Sequence, residues 1–245
     1  MALERRQIPI GRGESVSAVV AHPEPRLPVS TVVILAHGAG NDMNTPFLSA
    51  VQEGLAARGY VCVKFNFAYT EAGRRAPDRT PVLEDCYRHV VAAIRSDPRI
   101  GAQRIVIGGK SMGGRMASHL AAQGEAVAGL LFLGYPLHPP GKDAQLRVAH
   151  LPKISVPMLF FAGTRDPLCR LDLLQQTLKQ LRAPATLHVI DGGDHSFAVP
   201  KRMRREARDV WDEIVRISAE WLARLEADPE TIRTADNRGQ TTDRS

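Results

Sequence analysis

The chain has 245 residues, 44% hydrophobic and 24% charged, which suits one α/β domain with a sizeable core. No stretch approaches the roughly 18 apolar residues of a membrane span, and residues 1–13 lack the apolar core of a secretory signal, so a membrane partner and export are not expected. The formal net charge is +6, but much of the excess lies in Arg74-Arg75 and Lys201-Arg202-Met203-Arg204-Arg205. Such short runs read as solvated faces, not a nucleic-acid patch.

Short aliphatic runs alternate with segments of helical period. The runs at 15–21, 31–36, 61–67, 104–108, 127–133, 158–161 and 186–190 read as strands. Several are almost continuously apolar, as in a mainly parallel sheet covered on both faces. Thr45-Pro46 opens a helix that Gly59 stops, and Thr80-Pro81 opens another with Val82, Cys86, Val90 and Ile94 on one face. Residues 136–157 read as a loop with one short helix. Leu171, Leu174, Leu178 and Leu181 form a third apolar stripe, and Val210, Ile214, Ile217 and Trp221 a fourth on the longest helix. This alternation predicts a doubly wound α/β sheet forming one domain over 1–226. The polar segment 227–245 is expected to be a disordered tail. Cys62, Cys86 and Cys169 are too scattered for a disulfide framework or zinc site, which suits a reducing cytoplasm.

The sharpest chemical signal is Gly109-Lys110-Ser111-Met112-Gly113, between the run Ile105-Val106-Ile107 and a helical stretch. A serine on such a strand-to-helix turn exposes its hydroxyl at the carboxyl edge of the sheet, and the flanking glycines leave room for the turn. Serine needs a base, and the base an orienting acid. Asp166 lies just beyond the run 158–161, and His195 in the glycine-rich loop after 186–190. The order serine, acid, histidine and the shared sheet edge make Ser111, Asp166 and His195 the candidate catalytic set. Asp166 could instead cap the following helix. Asp191 and Asp194 compete as acids, although adjacency makes Asp194 awkward for the His195 ring. His119 and His188 sit on a helix and a strand, where structural roles are expected.

The loop His37-Gly38-Ala39-Gly40 follows the run 31–36, and its small residues allow a backbone N–H to reach a substrate carbonyl. Ala39 and Met112 are therefore the expected oxyanion donors. Gly109-Lys110-Ser111 imitates the end of a phosphate-binding loop, but that motif needs a glycine where Arg104 stands. No metal-ligand cluster and no dinucleotide fingerprint is present, so no metal or cofactor is expected.

These residues resemble the α/β-hydrolase superfamily from about Ser15 to Leu225, with the closest likeness to its compact, dienelactone-hydrolase-like members. His37-Gly38-Ala39-Gly40, Phe65-Asn66-Phe67, Gly109-Lys110-Ser111-Met112-Gly113-Gly114, Gly134-Tyr135-Pro136-Leu137 and Gly163-Thr164-Arg165-Asp166 look like one branch of small bacterial hydrolases. That branch is similar to the hydrolase-like domain of a subunit of the NSL histone-acetyltransferase complex. The resemblance implies about eight strands, a Ser-Asp-His triad at the positions named and, with no long insertion after 133, no large lid.

The function expected is hydrolysis of a small carboxylic ester or thioester through an acyl-enzyme. Amide or peptide hydrolysis by the same residues, or a non-catalytic interaction module on the same scaffold, is the alternative. Arg74 and Arg75 follow a strand at the active edge and would favour an anionic substrate if they border the pocket. Tyr135 is the remaining substrate-contact candidate.

Overall fold

A computed structural model of the chain describes residues 1–11, 13–25 and 31–227. In chain order the elements are β1 (Ala2–Gly11), β2 (Glu14–His22), β3 (Thr31–Ala36), α1 (Pro46–Ala56), β4 (Val61–Phe65), α2 (Ala68–Glu71) and α3 (Thr80–Ser96). β5 (Arg104–Lys110), α4 (Met112–Ala122), β6 (Gly129–Leu133), β7 (Met158–Gly163), α5 (Leu171–Lys179), β8 (Ala185–Ile190) and α6 (Ala207–Ala227) complete it. The strands form one sheet in the order β1-β2-β4-β3-β5-β6-β7-β8. β1, β2 and β4 pair antiparallel, and every neighbour from β4 to β8 is parallel.

Every residue of β3, β4, β6 and β7 is buried, because helices cover both faces of the sheet. Period-two alternation divides β3 between two cores. Val32, Ile34 and Ala36 pack with α3 and α4 residues such as Tyr87 and Met116. Val33 and Leu35 pack with α1 and α6 residues such as Leu48 and Ile214. The strand order reverses around β3, which lies between β4 and β5. Open α/β sheets leave a crevice at such a switch point, outside the carboxyl ends of the strands.

β1 escapes the apolar pattern because only Ile8 and Ile10 of its side chains are buried. Its polar residues have their own partners: Arg6 reaches Glu4 at 2.8 Å and Asp97 at 2.5 Å. Charged side chains on an edge strand also discourage pairing with another sheet. Val82 departs from its expected place and is 48% exposed. The buried face of α3 instead carries Leu83, Cys86, Tyr87, Val90, Val91 and Ile94. Thr80 is the first helical residue and Arg79 the N-cap, one position before the expected start. Between β6 and β7 the only helical element among the described residues is the 3₁₀ turn Leu151–Lys153. Ala227, assigned from sequence to the tail, ends α6; the rest of that tail, 228–245, lies outside the described residues. Among the described residues no helix is long and apolar enough to cross a membrane.

Candidate active site

The β5–α4 junction places Ser111 at φ 50°, ψ −113°, a region that residues with a Cβ rarely occupy and that costs of order 1–3 kcal/mol. The elbow is tight because β3 runs directly beneath it. A Cβ on Gly109 would lie 2.2 Å from the Ala36 carbonyl oxygen, and one on Gly113 would lie 2.3 Å from the same atom. One backbone oxygen thus requires both flanking glycines.

The turn brings Ser111 Oγ to 2.8 Å from His195 Nε2. His195 Nδ1 lies 2.7 Å from Asp166 Oδ2, whose side chain is fully buried. The three sequence candidates therefore form one hydrogen-bonded chain. Nδ1–H donates to the carboxylate, which leaves Nε2 to accept from the serine hydroxyl. Asp166 does not cap the following helix, whose N-cap is Arg170; its Oδ1 instead accepts the Leu168 N–H at 2.8 Å in the turn ahead of it. Each carboxylate oxygen has its own task. Asp194 is occupied within its loop, its Oδ1 accepting the N–H groups of Ser196 and Ala198. Asp191 accepts from Thr164 Oγ1 at 3.4 Å. His119 pairs with Glu84 and His188 with Glu213.

Gly38 lies against the elbow, where a Cβ would be 3.5 Å from Ser111 Cβ. Ala39 follows as an exposed residue. Met112 is the first residue of α4, so its N–H has no carbonyl one turn behind it within the helix. Buried beneath this loop, His37 is a support that the sequence reading did not single out. Its Nδ1–H donates to the Gly38 carbonyl at 2.8 Å, and its Nε2 accepts the Phe67 N–H at 3.1 Å. Burial lowers its pKa from the ordinary histidine value, so the ring is held neutral in one tautomer. His138 does comparable work for the acid loop, its Nε2 accepting the Arg170 N–H and its Nδ1–H donating to Pro139 O. A histidine directly after a buried strand or turn, with no charged neighbour in sequence, was the available signal for both.

The substrate-side candidates separate. Tyr135 is 1% exposed, and its hydroxyl donates to the Arg147 carbonyl at 2.7 Å. Its ring packs on Phe132 and Phe160, so it builds the floor of the core and presents no group to a ligand. Arg74 and Arg75 line a cavity of about 390 Å³ together with Gly40, Asn41 and Thr70, which places them beside the loop that carries Ala39. Arg74 Nη1 donates to Asp78 at 2.6 Å. Arg75 is exposed and has no ion pair among the described residues.

A family model for an alpha/beta hydrolase domain matches residues 29–223. Among curated proteins, the quorum-quenching protein AidA of Acinetobacter baumannii is 31% identical over 112 residues, which are 44% of this chain and 36% of that protein. The chain thus matches little more than a third of that relative's length. A dienelactone hydrolase from Anabaena variabilis superimposes with a TM-score of 0.73 at 18% identity, covering 91% of this chain and 97% of that one. Est1E of Butyrivibrio proteoclasticus, solved with ferulic acid, gives 0.73 at 16% identity over 91% and 100%. A serine hydrolase without lid from Xanthomonas campestris gives 0.65 at 19% identity over 87% and 94%.

Proposed function

Because the chain belongs to the alpha/beta-hydrolase family, we propose that it is a serine hydrolase that cleaves small carboxylic esters or thioesters through an acyl-enzyme. The observation that carries this reading is the unbroken chain Ser111–His195–Asp166, at 2.8 and 2.7 Å, on a strained elbow. In this reading His195 Nε2 takes the hydroxyl proton as Ser111 Oγ attacks the carbonyl carbon. Asp166 keeps the ring in the tautomer that can accept that proton and stabilises the imidazolium. The oxyanion of the tetrahedral intermediate is received by the backbone N–H groups of Ala39 and Met112. Collapse returns the proton from His195 to the leaving alcohol or thiol. Water, activated by the same imidazole, then releases the acid.

The connection between β6 and β7 holds a single 3₁₀ turn and no α-helix, so the serine lies under no large lid, which favours substrates that need little enclosure. A fluorophosphonate probe tests the proposal. The protein is expected to take up one equivalent at Ser111, with none on Ser111→Ala and parallel loss of p-nitrophenyl acetate hydrolysis. An unlabelled wild-type protein without esterase activity would instead favour the interaction-module alternative.

A further inference from the structure

We propose that Lys110, the residue between the elbow glycine and Ser111, is a positioning residue that clamps the His195 loop to the nucleophile elbow. The proposal rests on the reading of Ser111 and His195 as nucleophile and base. β5 and β8 are separated by β6 and β7, so no backbone ladder joins the elbow to the loop that carries the base. The Lys110 side chain crosses that gap. Its Nζ donates to the His195 carbonyl oxygen at 2.5 Å and lies 5.5 Å from the centre of the Phe197 ring.

The surroundings make room for this crossing. A Cβ on Gly134 would lie 3.0 Å from Lys110 Nζ and 3.3 Å from the His195 carbonyl oxygen. Phe197, beside the ammonium, is buried and held at φ 63°, a conformation that bulky residues avoid unless the surroundings impose it. Because the lysine is adjacent to Ser111 in the chain, it couples the position of the base directly to that of the nucleophile. The charged groups facing it are Asp166 and Asp194, the latter directly before His195 in the chain. Burial pulls the ammonium pKa down to about 8 against the attraction of these two carboxylates. The charge-assisted hydrogen bond therefore weakens as pH rises through that value.

The test compares wild-type protein with Lys110→Met and Lys110→Arg in hydrolysis of p-nitrophenyl acetate between pH 6 and 10, with circular dichroism to verify folding. Lys110→Met is expected to lower kcat about 10- to 100-fold, the loss typical of a hydrogen bond to a charged donor, with KM within about twofold. The wild-type alkaline limb near pH 8 should disappear from its profile. Lys110→Arg, which stays charged throughout, should recover kcat and hold it above pH 8. A folded Lys110→Met protein with wild-type kcat and an unchanged alkaline limb overturns the clamp. So does a folded Lys110→Arg protein that keeps the wild-type alkaline limb, a result that stands even where the Met variant fails to fold. In either case fluorophosphonate labelling of Ser111 separates failure of the clamp alone from failure of the serine-hydrolase reading.

Discussion

Replacing Asp166 by asparagine removes one charge and almost no volume, yet both oxygens of this carboxylate act as acceptors. Oδ2 receives His195 Nδ1–H at 2.7 Å and Oδ1 receives the Leu168 N–H at 2.8 Å. An amide has only one oxygen. If it stays on Leu168, the NH₂ group faces Nδ1 and forces the imidazole into the tautomer that carries its proton on Nε2, where it cannot accept from Ser111. If it turns to His195, the NH₂ group meets the Leu168 N–H, leaving two donors in conflict in a fully buried place. The same exchange of tautomer in a serine triad costs roughly 10⁴-fold in kcat, or about 5.5 kcal/mol of transition-state stabilisation. Asp194→Asn is the control. There a single oxygen, Oδ1, accepts from both Ser196 and Ala198, and an amide oxygen can do the same, so less than about a tenfold loss is expected. Steady-state kcat on p-nitrophenyl acetate, with matched circular dichroism spectra, measures both. A larger loss in Asp194→Asn than in Asp166→Asn would refute the assignment of the acid.

Gly113→Ala sets a Cβ 2.3 Å from the Ala36 carbonyl, so overpacking of about 1–3 kcal/mol should lower Tm by about 2–4 °C per kcal/mol, read by differential scanning calorimetry; an unchanged Tm would mean the elbow is looser than described. An ester with a free carboxylate should have about three- to fivefold higher kcat/KM at low salt than its methyl-capped analogue, an advantage of the size exposed ion pairs give. Arg75→Ala should erase more of it than Arg74→Ala, because Arg74 is already paired with Asp78; equal rates for the two esters reduce both arginines to solvation. Burial raises the Cys86 and Cys169 thiols from 9.0 to about 12 and raises Cys62 further. A raised folded-state pKa means the folded chain keeps protons that the unfolded chain sheds, so this contribution is whole below pH 9 and is lost as pH rises from 9 through about 12. Denaturant titrations should therefore show stability falling above pH 9, and a thiol reagent at pH 8 should leave the native protein untouched but find three cysteines in urea. Rapid reaction of the native protein would contradict the burial.

Much of the site was legible because it is written locally. The elbow is five consecutive residues, and Asp166 and His195 each follow an apolar run that ends at one sheet edge. The parallel strands were legible for a related reason: burial on both faces leaves no polar residue in β6 or β7. β1 was hidden because its charges find distant partners, Arg6 reaching Asp97 across 91 positions, and no window of sequence contains that pairing. Val82 was misplaced because a four-residue repeat does not distinguish the first, exposed turn of α3 from the buried turns after it. The same limit hid His37, His138 and Lys110. Their importance lies in backbone atoms that they touch, at Phe67, Arg170 and His195, and even where a histidine follows a buried run, the sequence does not name the backbone atom that it meets. Tyr135 failed as a substrate contact on the same ground, since its hydroxyl goes to the Arg147 backbone.

In the serine-hydrolase reading, Ser111 becomes acylated during turnover. Acid-quenching the protein within its first turnovers of p-nitrophenyl acetate, followed by intact mass measurement and peptide mapping, tests it directly. A single added acetyl group is expected on the peptide that contains Ser111, formed with a burst of p-nitrophenol and absent from Ser111→Ala. Turnover that proceeds in Ser111→Ala, or an acetyl group found only on another residue, would contradict that reading.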